Sequence, residues 1–285
     1  MPPLTPATPA IPVTPAVPTP PAIRTSGLTR SFPATSGTVE AVRGIDLTVT
    51  RGEILGFLGP NGAGKTTTLR MLTTLLAPTG GSATVAGCEL AHDPEGVRRK
   101  IGYVAQSGGV DPHVTVWEEL TTQARLYRLS RAEAAARTRE LAAELDLGDL
   151  LERKCAALSG GQRRRLDIAM GLAHRPEILF LDEPTTGLDP GSRADLWELV
   201  RRLRSERGMT VFLTTHYLDE AEALADRLVI VDKGRIVAQG TAEALKSAYG
   251  GSPGATLQDA FIAATGHGAE TDTSDASAAA TPIAV

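Results

Sequence analysis

The stretch GPNGAGKTT, Gly59 to Thr67, constrains this chain more than any other. It follows the apolar run ILGFL (54–58) and opens a helical pattern from Gly64 to Leu76, which Pro78 stops. Strand, glycine-rich turn and helix in that order make a phosphate loop. Gly59, Gly62 and Gly64, with Pro60, Asn61 and Ala63 between them, let backbone N–H groups turn toward one polyphosphate. The helix start adds the positive end of its dipole. Lys65 is expected to reach the β- and γ-phosphates, with Thr66 offering its hydroxyl to Mg2+ and Thr67 completing the loop.

A loop of this kind needs a buried strand behind it, and the flanking text supplies several. IDLTV (45–49) precedes ILGFL across an Arg51-Gly52 turn. SATVAG (82–87) and IGYVAQ (101–106) follow as strands. Residues 113–155 then change character and read as a helical insert. Trp117, Leu120, Ala124 and Tyr127 recur at helical spacing, and Ser130 with Glu133 forms a capping-box pattern. Helix and strand alternate again after it: helix 160–174, strand 178–182, helix 191–207, strand 210–215, helix 218–226. Strands 228–232 and 235–240 close the series across Lys233-Gly234. Runs such as ILFL and VFL predict strands buried on both faces, hence a mainly parallel sheet between helices. The expected class is α/β, with an antiparallel β subdomain at the N-terminal side and an inserted helical subdomain at about 113–165.

Four polar groups should gather at the carboxyl ends of those strands, where open α/β sheets bind ligands. ILFLDEP (178–184) ends in Asp182, placed to hold Mg2+, and Glu183, placed to polarise a water for attack on a γ-phosphate. Gln106 ends strand IGYVA and His216 ends strand TVFLTT. A second glycine-rich helix start, LSGGQ (158–162), carries no lysine. Ser159 suits a helix cap, and Gly160 and Gly161 permit close approach of an anion, with Gln162 next. The helix beyond is expected to bury Leu166, Ala169, Met170 and Ala173 and to leave Arg163 and Arg164 on a solvated face.

The order of phosphate loop, Gln106, LSGGQ, LDEP, GLD (187–189) and His216 resembles an ABC-transporter ATPase subunit over nearly all the ordered chain. RRRLDIAMGLAHRPEILFLDEPTTGLDP, TTHYLDEAE and TLQDAFIAATG resemble the daunorubicin/doxorubicin-resistance type of ABC-2 exporter ATPase. The resemblance implies an ATP hydrolase powering a separate integral membrane permease. It implies Glu183 as catalytic base, Gln106 on Mg2+ and coupled to the permease, and His216 on the γ-phosphate. Asp189 would sit at a dimer interface and Phe32 of LTRSF would stack on adenine, although PATSGT lengthens the gap after it. The segment SGGVDPHVTVWEEL would face the membrane partner. An LSGGQ without its own charge makes sense as half of a site completed by Lys65 of a second copy, a head-to-tail homodimer. The competing reading is a non-transport ABC ATPase acting as a mechanical module on a macromolecule. Such relatives usually show two cassettes or a long coiled coil, whereas this sequence has one cassette and no sustained heptads.

Composition sets the remaining bounds. A net charge of −4 argues against nucleic acid as the main partner. No apolar run approaches the roughly 18–20 residues of a membrane-spanning helix. The N-terminus lacks the pattern of a secretory signal, and the two cysteines lack metal-ligand spacing. The resemblance implies a location at the cytoplasmic face of the membrane, reached through the permease. Residues 1–22, Pro-rich and uncharged, and residues 267–285 read as disordered tails, with 251–266 a C-terminal helical extension of the 23–250 domain.

Overall fold

The computed structural model describes residues 20–35, 37–252 and 254–266. The expected tails fall outside the described residues except for 20–22. Two long strands open the chain, β1 (Ile23–Ala34) and β2 (Gly37–Val49), before the short apolar β3 (Ile54–Leu58). In β2 the residues Ile45, Leu47 and Val49 are buried while Asp46 and Thr48 point out, the period of a half-buried strand. Strands β4 (Gly80–Val85) and β5 (Cys88–Glu89) join them in an antiparallel sheet of order β2-β1-β4-β5. Strand β1 starts at the expected boundary, and the residue before it is already tied to the sheet. Ala22 is fully buried, donates to Val49 O and accepts from Ala86 N, both at 2.8 Å. Pro21 has no N–H with which to carry the ladder further.

The second sheet has the order β10-β9-β3-β8-β7-β6, with β6 Ile101–Val104, β7 Ile178–Asp182, β8 Thr210–Thr215, β9 Arg227–Asp232 and β10 Arg235–Gly240. Only β10 runs antiparallel to its neighbour. Every residue of β3, β7 and β8 is buried, which is why these strands are continuous apolar runs rather than alternating ones. Across them Phe57, Phe212 and Phe180 form a tilted aromatic row with centroids 5.2 and 5.4 Å apart.

Helix α1 (Lys65–Leu72) leaves the phosphate loop and stops earlier than the sequence pattern predicts. Thr74 takes a left-handed cap at φ 66°, and the N–H groups of Leu75 and Leu76 fold back to Arg70 O. Helix α2 (Pro94–Lys100), capped by Asp93, was not anticipated from the sequence. The insert holds α3 (Val116–Leu126) and α4 (Arg131–Glu144), each opened by a capping box: Thr115 with Glu118, and Ser130 with Glu133. Its two ends meet where Val116 N reaches Arg153 O and Cys155 N reaches Val114 O. Leu120 and Ala124 are buried, while Trp117 is half-buried under the Arg139 guanidinium and Tyr127 stacks on His174. Helices α5 (Gly160–Gly171), α6 (Pro190–Arg207) and α7 (Leu218–Leu224) flank the parallel sheet. The last two, α8 (Ala242–Tyr249) and α9 (Leu257–Thr265), bury Leu245, Leu257 and Phe261 against Leu228, Ile230 and Ala238.

Candidate active site

Strand order brings the chemical residues to one rim. β3 runs into the Gly59 loop, β7 ends at Asp182 with Glu183 next, and β8 ends one residue before His216. Gln106 lies two residues beyond β6, in a loop rather than on the longer strand the sequence predicts. All four strands are parallel, so these residues share the carboxyl edge.

The phosphate loop is shaped by its glycines at two points. Gly64 sits at φ 100°, and a Cβ there would lie 2.5 Å from Ala41 O of β2. Gly62 sits at φ 80°. Both conformations disfavour any residue with a side chain. Lys65 is 5 % exposed; its Nζ donates to Gly59 O at 2.8 Å and Pro60 O at 3.2 Å and lies 3.5 Å from Glu183 Oε1. Burial pushes the ammonium below its ordinary value, and the Glu183 charge opposes that shift.

Asp182, 2 % exposed, accepts from Thr214 Oγ1 at 2.7 Å and Thr66 Oγ1 at 3.3 Å. Glu183 has φ 43°, a left-handed conformation uncommon for a residue with a side chain and a recurrent feature of functional sites. Its N–H is shared between Thr214 O and Thr214 Oγ1, both at 3.1 Å. Its carboxylate accepts from Gln106 Nε2 at 2.9 Å, faces Lys65, and approaches His216 Nδ1 at 3.3 Å, close enough for an ion pair but misaligned for a hydrogen bond. The His216 ring first, then the Lys65 ammonium, hold Glu183 below the usual carboxylate range against the opposing cost of burial.

This rim fits a nucleoside triphosphate with a hard divalent cation. Among the described residues no group of three or more His, Cys, Asp or Glu could hold a metal alone. Mg2+ does not require one, because it takes one or two carboxylates and completes its shell with phosphates and water. Asp182 and Thr66 present such oxygens beside the loop.

The second glycine-rich helix start is a capping box. Gln162 N donates to Ser159 Oγ at 3.2 Å, and Ser159 N donates to Gln162 Oε1 at 3.0 Å. Ser159 and Gly160 are exposed. Gly161 lies so close to Ser192 that a Cβ would meet its Oγ at 2.8 Å. Asp189, exposed, caps α6 through the Ser192 N–H and hydroxyl, which hold its carboxyl below the ordinary value. LSGGQ thus packs beside the Asp189 turn. Phe32 is half-exposed near the end of the β1–β2 hairpin, with Arg30 4.6 Å from its ring centre, so it is not part of the core.

The family model described as ABC transporter matches residues 42–186. The chain belongs to the ABC transporter family. This ABC ATPase is 50 % identical over 226 residues to the daunorubicin/doxorubicin resistance ATP-binding protein of Streptomyces peucetius, covering 79 % of this chain and 67 % of the relative. It is 41 % identical over 235 residues to a Nod factor export ATP-binding protein of Burkholderia lata, covering 79 % of this chain and 77 % of that one. Its fold is similar to a dimeric ATP-binding cassette in a post-hydrolysis state bound to ADP and Pi, with TM-score 0.70 at 27 % identity over 77 % of this chain and 98 % of the other. The ABC ATPase binds and hydrolyses ATP. Among the described residues no helix is long and apolar enough to cross a membrane.

Two residues at the rim of this ABC ATPase escape the sequence pattern. Thr214, fully buried, ties Asp182 to the Glu183 backbone; its only signal is a polar pair ending an apolar strand. Arg164 corrects an expectation outright. It is 6 % exposed, not solvated, while Arg163 is exposed as expected. Arg164 stands four residues before Ile168 and eight before Leu172, both buried, so helical spacing turns it inward.

Proposed function

We propose that this ABC ATPase drives a separate integral membrane permease that exports a drug or other hydrophobic compound. The observation that carries this reading is the intact clasp on Glu183, made by Lys65, Gln106 and His216, in a chain half identical to a drug-resistance ATP-binding protein. Glu183 is the proton acceptor for the attacking water, kept ionised by the His216 ring and the Lys65 ammonium beside it. Gln106 and His216 orient that carboxylate and the γ-phosphate. Residues 59–67 bind the polyphosphate, with Lys65 released from Gly59 O and Pro60 O to meet it. Phe32 stacks on adenine. Thr66, Gln106 and Asp182 would hold Mg2+, which supplies charge neutralisation across the β- and γ-phosphates when bound.

The Ser159–Gln162 helix start, exposed at Ser159 and Gly160, is the second half of the site of another copy, with Asp189 at the same interface in a head-to-tail homodimer. The assembly sits at the cytoplasmic face of the membrane, held by its permease. The relatives are export and resistance subunits, which favours transport over a mechanical module on a macromolecule. Sedimentation of the purified chain with ATP tests the dimer: Ser159→Arg should return it to monomer, and an unchanged dimer counts against the interface. Inverted vesicles carrying the chain with its permease test export. Daunorubicin uptake that is ATP-dependent and lost in Glu183→Gln supports it; uptake unaffected by the substitution refutes it.

A further inference from the structure

Arg164 is a buried cation with no part in the roles assigned above. All three of its guanidinium nitrogens are engaged: Nε with Pro184 O at 2.8 Å, Nη1 with Ala105 O at 2.6 Å, and Nη2 with Asp182 O at 3.2 Å. Asp182 and Pro184 bracket Glu183, and Ala105 precedes Gln106. One turn further along α5, Asp167 lies 3.7 Å from Nη1 and packs against Gly108, where a Cβ would meet Asp167 Oδ2 at 2.7 Å. Helix α5 therefore grips the Gln106 loop on both sides and the Glu183 turn on both sides.

The planar fork of arginine reaches carbonyls in separate segments at once, which the single point donor of lysine does not. Packing alone gives no reason for it, since an apolar side chain fills buried volume without the desolvation cost of a charge.

We propose that Arg164 is a positioning residue that fixes Glu183 and Gln106 to the helix begun by LSGGQ. The hydrolytic carboxylate then moves with the signature helix of its own subunit. Engagement of that helix by the nucleotide of a second copy is felt at the local Glu183. The inference rests on the reading of Glu183 as proton acceptor.

The test uses the purified full chain with MgATP. In Arg164→Lys, kcat should fall by about 10–100-fold, the scale of a misplacement near 1 Å. ATP affinity should stay within about twofold, because no Arg164 contact touches the phosphate loop. Arg164→Met, which keeps the volume, should be as slow. In single-turnover measurements, Arg164→Lys combined with Glu183→Gln should lose less than the product of the two separate losses, since much of the arginine's effect runs through the carboxylate. A merely structural role would add its loss to that of Glu183→Gln. If the Arg164 variants do not fold, Asp167→Asn, which frees one side of the guanidinium, should lower kcat severalfold at unchanged ATP affinity. Wild-type kcat in the folded variants, or parallel loss of kcat and ATP affinity, overturns the inference. Glu183→Gln that still turns over defeats the underlying reading; Glu183→Gln that stalls beside a normal Arg164→Lys defeats this inference alone.

Discussion

Replacing Glu183 by Gln removes one charge from the rim and keeps the shape. A general base contributes about 10²–10⁴-fold, so kcat should drop at least ~100-fold, or ~2.7 kcal/mol at ~1.36 kcal/mol per decade. The same change acts on the nucleotide-free fold. Lys65 and Glu183 are 4 % and 9 % exposed at their side chains, so the pair is screened little by water. Removing one partner of a buried pair costs ~3–5 kcal/mol at the extreme. Here Lys65 keeps two carbonyl acceptors and the nearby Asp182 charge, so about 1–2 kcal/mol is expected, a fall in Tm of ~2–8 °C. ATP should restore the melting temperature, and its binding should tighten, because the triphosphate no longer meets a second carboxylate. Phosphate release, calorimetric titration and a melting curve with and without ATP read the three effects separately. Turnover within threefold of wild type removes Glu183 from its role. Loss of ATP binding together with turnover moves it into nucleotide binding instead.

Lys65→Ala should abolish measurable turnover and weaken ATP binding, read by the same titration, since no other cation lies on the loop. Gly64→Ala should destabilise the fold by at least ~2 kcal/mol through left-handed strain and the Ala41 O clash, seen as a lower Tm. Burial pushes the fully buried Glu220 carboxyl above its ordinary value, against the pull of Thr215, Thr185 and Trp197. Its contribution is fully present below the unfolded value of ~4.3 and is lost as pH rises through the raised one. Glu220→Gln should flatten that fall in Tm measured against pH. Glu183 has the opposite sign: lowered by His216 and Lys65, its contribution is present above ~4.3 and is lost as pH falls through the lowered value.

The site was largely legible in the text because its chemistry is local. The phosphate loop is a strand, a turn and a helix start within residues 54–67, and the second helix start, on α5, has its Ser159 and Gln162 capping box within one turn. Apolar runs marked β3, β7 and β8, and β7 ends at Asp182 while β3 and β8 end one residue before Gly59 and His216. Boundaries were less legible. α1 stops at Leu72 because Thr74 takes a left-handed cap that no residue preference announces. α2 carries one buried residue, Val97, too little pattern to read as an amphipathic helix.

The sequence by itself determined which groups are present and which strand ends they follow, because backbone conformation and hydrophobic period act over neighbours in the chain. Only the tertiary structure decided how the groups meet. Thr214 and Asp182 are 32 residues apart, Gln106 and Glu183 are 77 apart, and Arg164 reaches Ala105 across 59. Strand order sets those encounters. A buried arginine spanning three carbonyls reads as a surface residue until the carbonyls are in place.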